Sequence, residues 1–119
     1  MKSWGPLFVL TAVLVAAPAW AHSPKSVEAT FDPETQILTV KVVHTVSDAA
    51  KHYVSAIVVE LNGKKKVEQK FSLQADLEHQ EAVYRIPEAK AGDEIRVTAE
   101  CNVAGKKTAT VQAPRREEP

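Results

Sequence analysis

Four histidines and one cysteine are the side chains here whose chemistry is hardest to ignore: His22, His44, His52, His79 and Cys101. Imidazole nitrogens and a thiolate together suit iron(II), copper or zinc by ligand softness. Their placement is informative. His44 ends one apolar alternating run, His52 opens the next, Cys101 closes a third on its apolar parity, and His22 stands just before the first run. Side chains at strand ends, unlike those in the middle, are free to converge at one rim of a sheet structure. His22, His44, His52 and Cys101 are therefore the candidate metal ligands. The alternative for each histidine is a plain surface role. For Cys101 it is a buried structural thiol, because free cysteine is among the most buried residue types. His79, in Glu78-His79-Gln80-Glu81, reads as solvated surface.

Other chemistries lack their parts. There is no Gly-rich phosphate loop, no nucleophile elbow and no HExxH. The carboxylates are scattered and form no acid/base pair. Lys and Arg total 15 against 15 Asp and Glu, and aromatic residues make 6%. That balance argues against nucleic acid, which calls for a basic surplus and stacking platforms. One cysteine excludes an intrachain disulfide and a CxxC zinc site.

The first 21 residues read as an export signal. Lys2 supplies the positive start, Leu7 to Ala17 the apolar run, and Ala19-Trp20-Ala21 the small-x-small cleavage site. The run is too short to span a bilayer comfortably, so no membrane association is expected after cleavage. The mature chain is expected to begin at His22 and to reside in the periplasm or outside the cell. In such a compartment a lone thiol is buried, pairs with another protein or binds something.

The elements that must position the ligands follow from alternation. Strands are predicted at Ser26–Phe31, Ile37–His44, Tyr53–Leu61, about Lys66–Leu73, Ala82–Ile86, Glu94–Cys101 and Lys106–Gln112. Asp32-Pro33-Glu34-Thr35 is a turn, Asn62-Gly63 a hairpin turn, and Gln74–Gln80 an acidic loop. Seven short strands at regular spacing, without a helix-period segment, predict an all-β fold: a seven-stranded antiparallel immunoglobulin-like β-sandwich spanning 22–113, followed by a charged tail at 114–119.

Four motifs, in order, resemble a known family. Cys101-Asn102-Val103-Ala104-Gly105 resembles the Cys-Asn-x-His-Gly motif of superoxide reductases, the desulfoferrodoxin iron-binding domain. Lys51-His52-Tyr53-Val54, opening a strand that ends Val59-Glu60-Leu61, is similar to that family's Glu/Lys-His-His/Tyr-Ile stretch. His44 resembles its His-Pro histidine, and His22-Ser23-Pro24 its His-Val-Pro. The resemblance implies an immunoglobulin-like sandwich holding mononuclear iron through four equatorial histidines and an axial cysteine, and reducing superoxide to peroxide with electrons from a donor. It makes His22, His44 and His52 equatorial and Cys101 axial. The chain departs from the pattern at several places. Ala104 stands where the family has its fourth histidine, and Thr45 follows His44 in place of proline. The gap from His44 to His52 is two residues longer, so that strict spacing lands on Val46. Trp20-Ala21 replaces the Glu-Lys before the first histidine. The chain thus looks like a divergent, exported member.

Two further readings stand beside this one. His52-Tyr53-Val54 through Leu61-Asn62-Gly63-Lys64, with Ala89 to Thr98, resembles the small subunit of the thiosulfate-oxidising sulfur-carrier complex, which implies a metal-free sandwich binding a protein partner. If cleavage leaves His22 N-terminal, its amine and ring nitrogen together suit copper.

Overall fold

Strict alternation of apolar and polar residues writes most of the strands, and the computed structural model, which describes residues 22–115, contains all seven. They are β1 (Ser26–Asp32), β2 (Ile37–Val43), β3 (Val54–Leu61), β4 (Lys64–Lys70), β5 (His79–Arg85), β6 (Glu94–Cys101) and β7 (Lys106–Gln112). The expected signal segment and most of the charged tail lie outside the described residues. The strands form two antiparallel sheets, ordered β1-β2-β5 and β4-β3-β6-β7. The fold is all-β, an immunoglobulin-like sandwich.

Leu38, Val40 and Val42 on β2 face Ile57 and Val59 on β3 and Ile95, Val97 and Ala99 on β6, all without solvent exposure. Burying such aliphatic side chains stabilises the fold by roughly 1.5–3 kcal/mol each before entropy is counted. The opposite parity carries Thr39 and Lys41 on β2 and Arg96 and Thr98 on β6. Asn62 and Gly63 take φ of 50° and 86°, the left-handed pair that a two-residue hairpin turn requires. That tight turn sets Lys64 directly opposite Leu61, so β4 starts two residues earlier than the alternation suggested. β4 is the edge of its sheet, and its lysines oppose pairing with another chain.

Two departures from simple alternation shape the site. β3 carries a bulge: Val54 pairs with Cys101 but Ala56 pairs with Glu100, which leaves Ser55 as the extra residue. The bulge switches parity. Ile57, Val59 and Leu61 point into the core from odd positions, yet Val54 is also fully buried. His52, two positions upstream of Val54, thereby falls on the inward side. The second departure is β5, which starts at His79 rather than Ala82. Asp76 Oδ1 accepts the backbone N–H groups of Glu78 (2.8 Å) and His79 (2.6 Å), a side-chain turn that launches the strand early. Just before it, the carbonyls of Leu77 and Glu78 accept Val46 N–H (2.8 Å) and His44 N–H (2.9 Å). The 71–78 loop is in this way tied across the end of β2.

Candidate metal centre

All strands that run toward one rim end near the same place: β2 at Val43, β6 at Cys101, with β3 departing from it at Val54. His44 continues the inward parity of Leu38, Val40 and Val42 and is 3% exposed. Cys101 continues that of Ile95, Val97 and Ala99 and is buried. His52 reaches them through the bulge. As a result His44, His52 and Cys101 each offer one ligand atom, and these atoms lie within 4.8 Å of one another. His52 Nε2 is 3.1 Å from Cys101 Sγ. The His44 and His52 rings meet edge to face with centroids 4.7 Å apart.

His22 stands beside this group of three. Its ring centroid is 5.9 Å from that of His52, and its backbone carbonyl lies 3.0 Å from His44 Nε2. His79 is not part of the cluster. Its Nδ1 sits 3.6 Å from Asp76 Oδ1 on a partly exposed side chain. Ala104, in the β6–β7 turn, brings no ligand atom.

Burial pulls the His52 imidazole pKa below its ordinary value, and His44 nearby adds to this. A hydrogen bond to the His22 backbone acts the other way, and the His22 ring lowers it again. A neutral imidazole is the form that binds metal. The sulfur also accepts Val103 N–H at 3.4 Å, and a surface cleft lined by Ser55, Glu100, Asn102, Gly105 and Lys106 reaches it.

Two polar residues that sequence reasoning passed over hold this rim together. Asn102 brackets His52: its Oδ1 accepts Tyr53 N–H (2.8 Å), its Nδ2 donates to Lys51 O (2.9 Å), and its own N–H donates to Tyr53 O (3.0 Å). Gln74 is 1% exposed. Its Oε1 lies 2.7 Å from His44 Nδ1 and accepts Val54 N–H at 3.2 Å, while its Nε2 donates to His44 O (2.7 Å) and Asp76 O (2.9 Å). Asn102 lies inside the quoted Cys-Asn motif, so its position was visible though its role was not. Gln74 carried no signal in type or spacing. Among the described residues, no buried side-chain polar atom lacks a partner.

The chain is an all-β sandwich with a soft-donor rim, and superoxide reductases are among the solved structures similar to it in fold. One is superoxide reductase (1Fe-SOR) from Giardia intestinalis, with a TM-score of 0.56 at 17% identity, covering 76% of this chain and 96% of that one. Two structures of superoxide reductase (neelaredoxin) from Ignicoccus hospitalis give TM-scores of 0.54 and 0.53 at 14% and 15% identity. They cover 83% and 81% of this chain and 86% and 83% of theirs. No family model matches the sequence, and no curated protein does. At these identities the likeness is one of fold.

Proposed function

We propose that this chain is an exported mononuclear iron protein of the superoxide reductase type, with His22, His44, His52 and Cys101 as the metal ligands. One observation carries the reading: three donors of the types that suit iron come from three separate strand ends and gather within 4.8 Å. The donor set fits the ion. Burial favours neutral His52, and a thiol gives up its proton to a metal. Iron bound there would supply one-electron chemistry toward a small dioxygen-derived anion such as superoxide.

The chain's own residues do the holding. Gln74 and Asn102 orient the two histidine segments, and the Val103 N–H draws charge from the sulfur. Ala104 leaves the set one imidazole short of what the resemblance implies, so iron is retained less tightly and turnover is reduced. Residence in the periplasm or outside the cell, and an electron-donating partner, belong to the same proposal.

Metal analysis of the protein purified after expression with its own leader tests it. Stoichiometric iron and a thiolate-to-iron(III) absorption band that disappears in Cys101→Ala are expected. Metal-free protein without affinity for iron(II) overturns the reading. Such protein bringing down a partner chain would favour the sulfur-carrier type of role, and copper in place of iron would move the metal assignment.

A further inference from the structure

We propose that Gln74 is a positioning residue that sets the tautomer of His44 and so selects Nε2 as its ligand atom. This rests on the metal-binding reading above. The argument begins with the orientation of the Gln74 amide, whose oxygen and nitrogen are assigned from their partners. The Nε2 end faces two carbonyl oxygens, of His44 at 2.7 Å and of Asp76 at 2.9 Å. Carbonyls only accept, so this end must be the NH2 group. The other end faces Val54 N–H at 3.2 Å, which only donates. Reversing the amide would set oxygen against two oxygens and NH2 against N–H, leaving buried polar groups unpaired at about 1–3 kcal/mol each. Three backbone groups therefore fix Oε1 as an acceptor.

His44 Nδ1 lies 2.7 Å from that acceptor, so Nδ1 carries the hydrogen and the lone pair of the neutral ring is on Nε2. Nε2 is also the edge facing the His22 carbonyl, 3.0 Å away. That carbonyl only accepts, so in this tautomer the contact carries no hydrogen bond, and a cation bound at Nε2 would take its place. Metal-ligating histidines commonly donate their second N–H to such an outer partner, which fixes the ring and raises its basicity. Gln74 does more than accept. It ties His44 to Val54, and Val54 is the residue paired with Cys101. One buried side chain thus links the segments that carry His44 and Cys101. The loop behind it is braced in turn: Gln74 N–H donates to Ala49 O at 3.1 Å, and Ala75 N–H to Gln80 Oε1 at 3.0 Å.

Long-range proton–nitrogen NMR of the iron-free, histidine-labelled protein reads the tautomer directly. Competition titration with iron(II) then compares wild type, Gln74→Met and Gln36→Met, the last changing a glutamine at the opposite rim. The expected result is an Nδ1–H tautomer at His44, iron(II) affinity reduced about 10–100-fold in Gln74→Met, and a change within about twofold in Gln36→Met. An Nε2–H tautomer in wild type overturns the proposal whether or not the variant folds. So does folded Gln74→Met with undiminished affinity. Wild type showing the Nδ1–H tautomer but no affinity for iron(II) overturns the metal reading instead, and leaves the pairing of His44 with Gln74 standing.

Discussion

β3 and β6 are closed at both ends by the same device, and only one end lies beside the His44, His52 and Cys101 cluster. At the far rim Asn62, just past β3, donates its N–H to Glu94 O (2.8 Å) and accepts Glu94 N–H through Oδ1 (2.9 Å). At the near rim Asn102, just past β6, makes the same pair of bonds with Tyr53. Each asparagine extends the ladder by one residue using a side chain in place of a backbone carbonyl. At the Asn62 end the asparagine itself opens the two-residue turn, and the clamp ties that hairpin to the start of β6. At the Asn102 end it also grips Lys51 O, so that it encloses His52 from both sides and holds it against Cys101. The same hydrogen-bonding unit is structural where the chain turns tightly. It becomes site-building where a longer connection brings an imidazole.

The largest expected effect separates the two ends. Asn102→Ala should lower iron(II) affinity by about tenfold or more, while Asn62→Ala leaves it unchanged in the same competition titration. Urea denaturation should show both variants losing about 1–2 kcal/mol, since each loses bonds to backbone groups. Equal loss of affinity in both variants would show that the near clamp acts through general stability and not on His52.

A smaller effect belongs to the far rim alone. Gly63 has φ of 86° and open space where a Cβ would stand. Gly63→Ala should therefore cost only the left-handed backbone penalty, about 1–2 kcal/mol, with iron binding intact. Loss of iron in that variant would mean that the rims communicate.

The smallest effect is at neither rim. Tyr84 donates its hydroxyl to Gln69 Oε1 at 2.7 Å, bridging β5 and β4, and burial pushes its pKa up to about 12. The folded state holds the neutral phenol longer than the unfolded chain, whose tyrosine titrates near about pH 10. Its contribution is complete below about pH 10 and is lost as pH rises toward about 12. Tyr84→Phe should flatten the fall in urea midpoint between about pH 10 and pH 12 relative to wild type, and leave iron affinity unaltered.

Much of the scaffold was readable in advance, because alternation is a local consequence of burial. Leu38, Val40 and Val42 announce β2 and its inward face, and Ile95 through Cys101 announce β6. The starts of β4 and β5 were misplaced for identifiable reasons. A hairpin turn pairs the residues next to it even when they are three lysines, and Asp76 turns the backbone into β5 with its own carboxylate. Of the four candidate ligands, His44 and Cys101 sit on their strands' apolar parity and could be oriented from sequence. His52 could not, since simple alternation with Ile57, Val59 and Leu61 would send it outward.

Residue order alone determined that seven strands form, the inward faces of β2 and β6, the Asn62-Gly63 turn and the presence of soft ligands at strand ends. Each of these follows from interactions between near neighbours along the chain. The tertiary structure alone decided that Ser55 bulges, that His52 consequently turns toward Cys101, and that Gln74 buries its amide against His44. Those outcomes depend on which backbone groups meet across separations of 20 to 49 residues. A hydrogen-bond partner chosen at that distance is set by how the sheets pack, not by any local pattern.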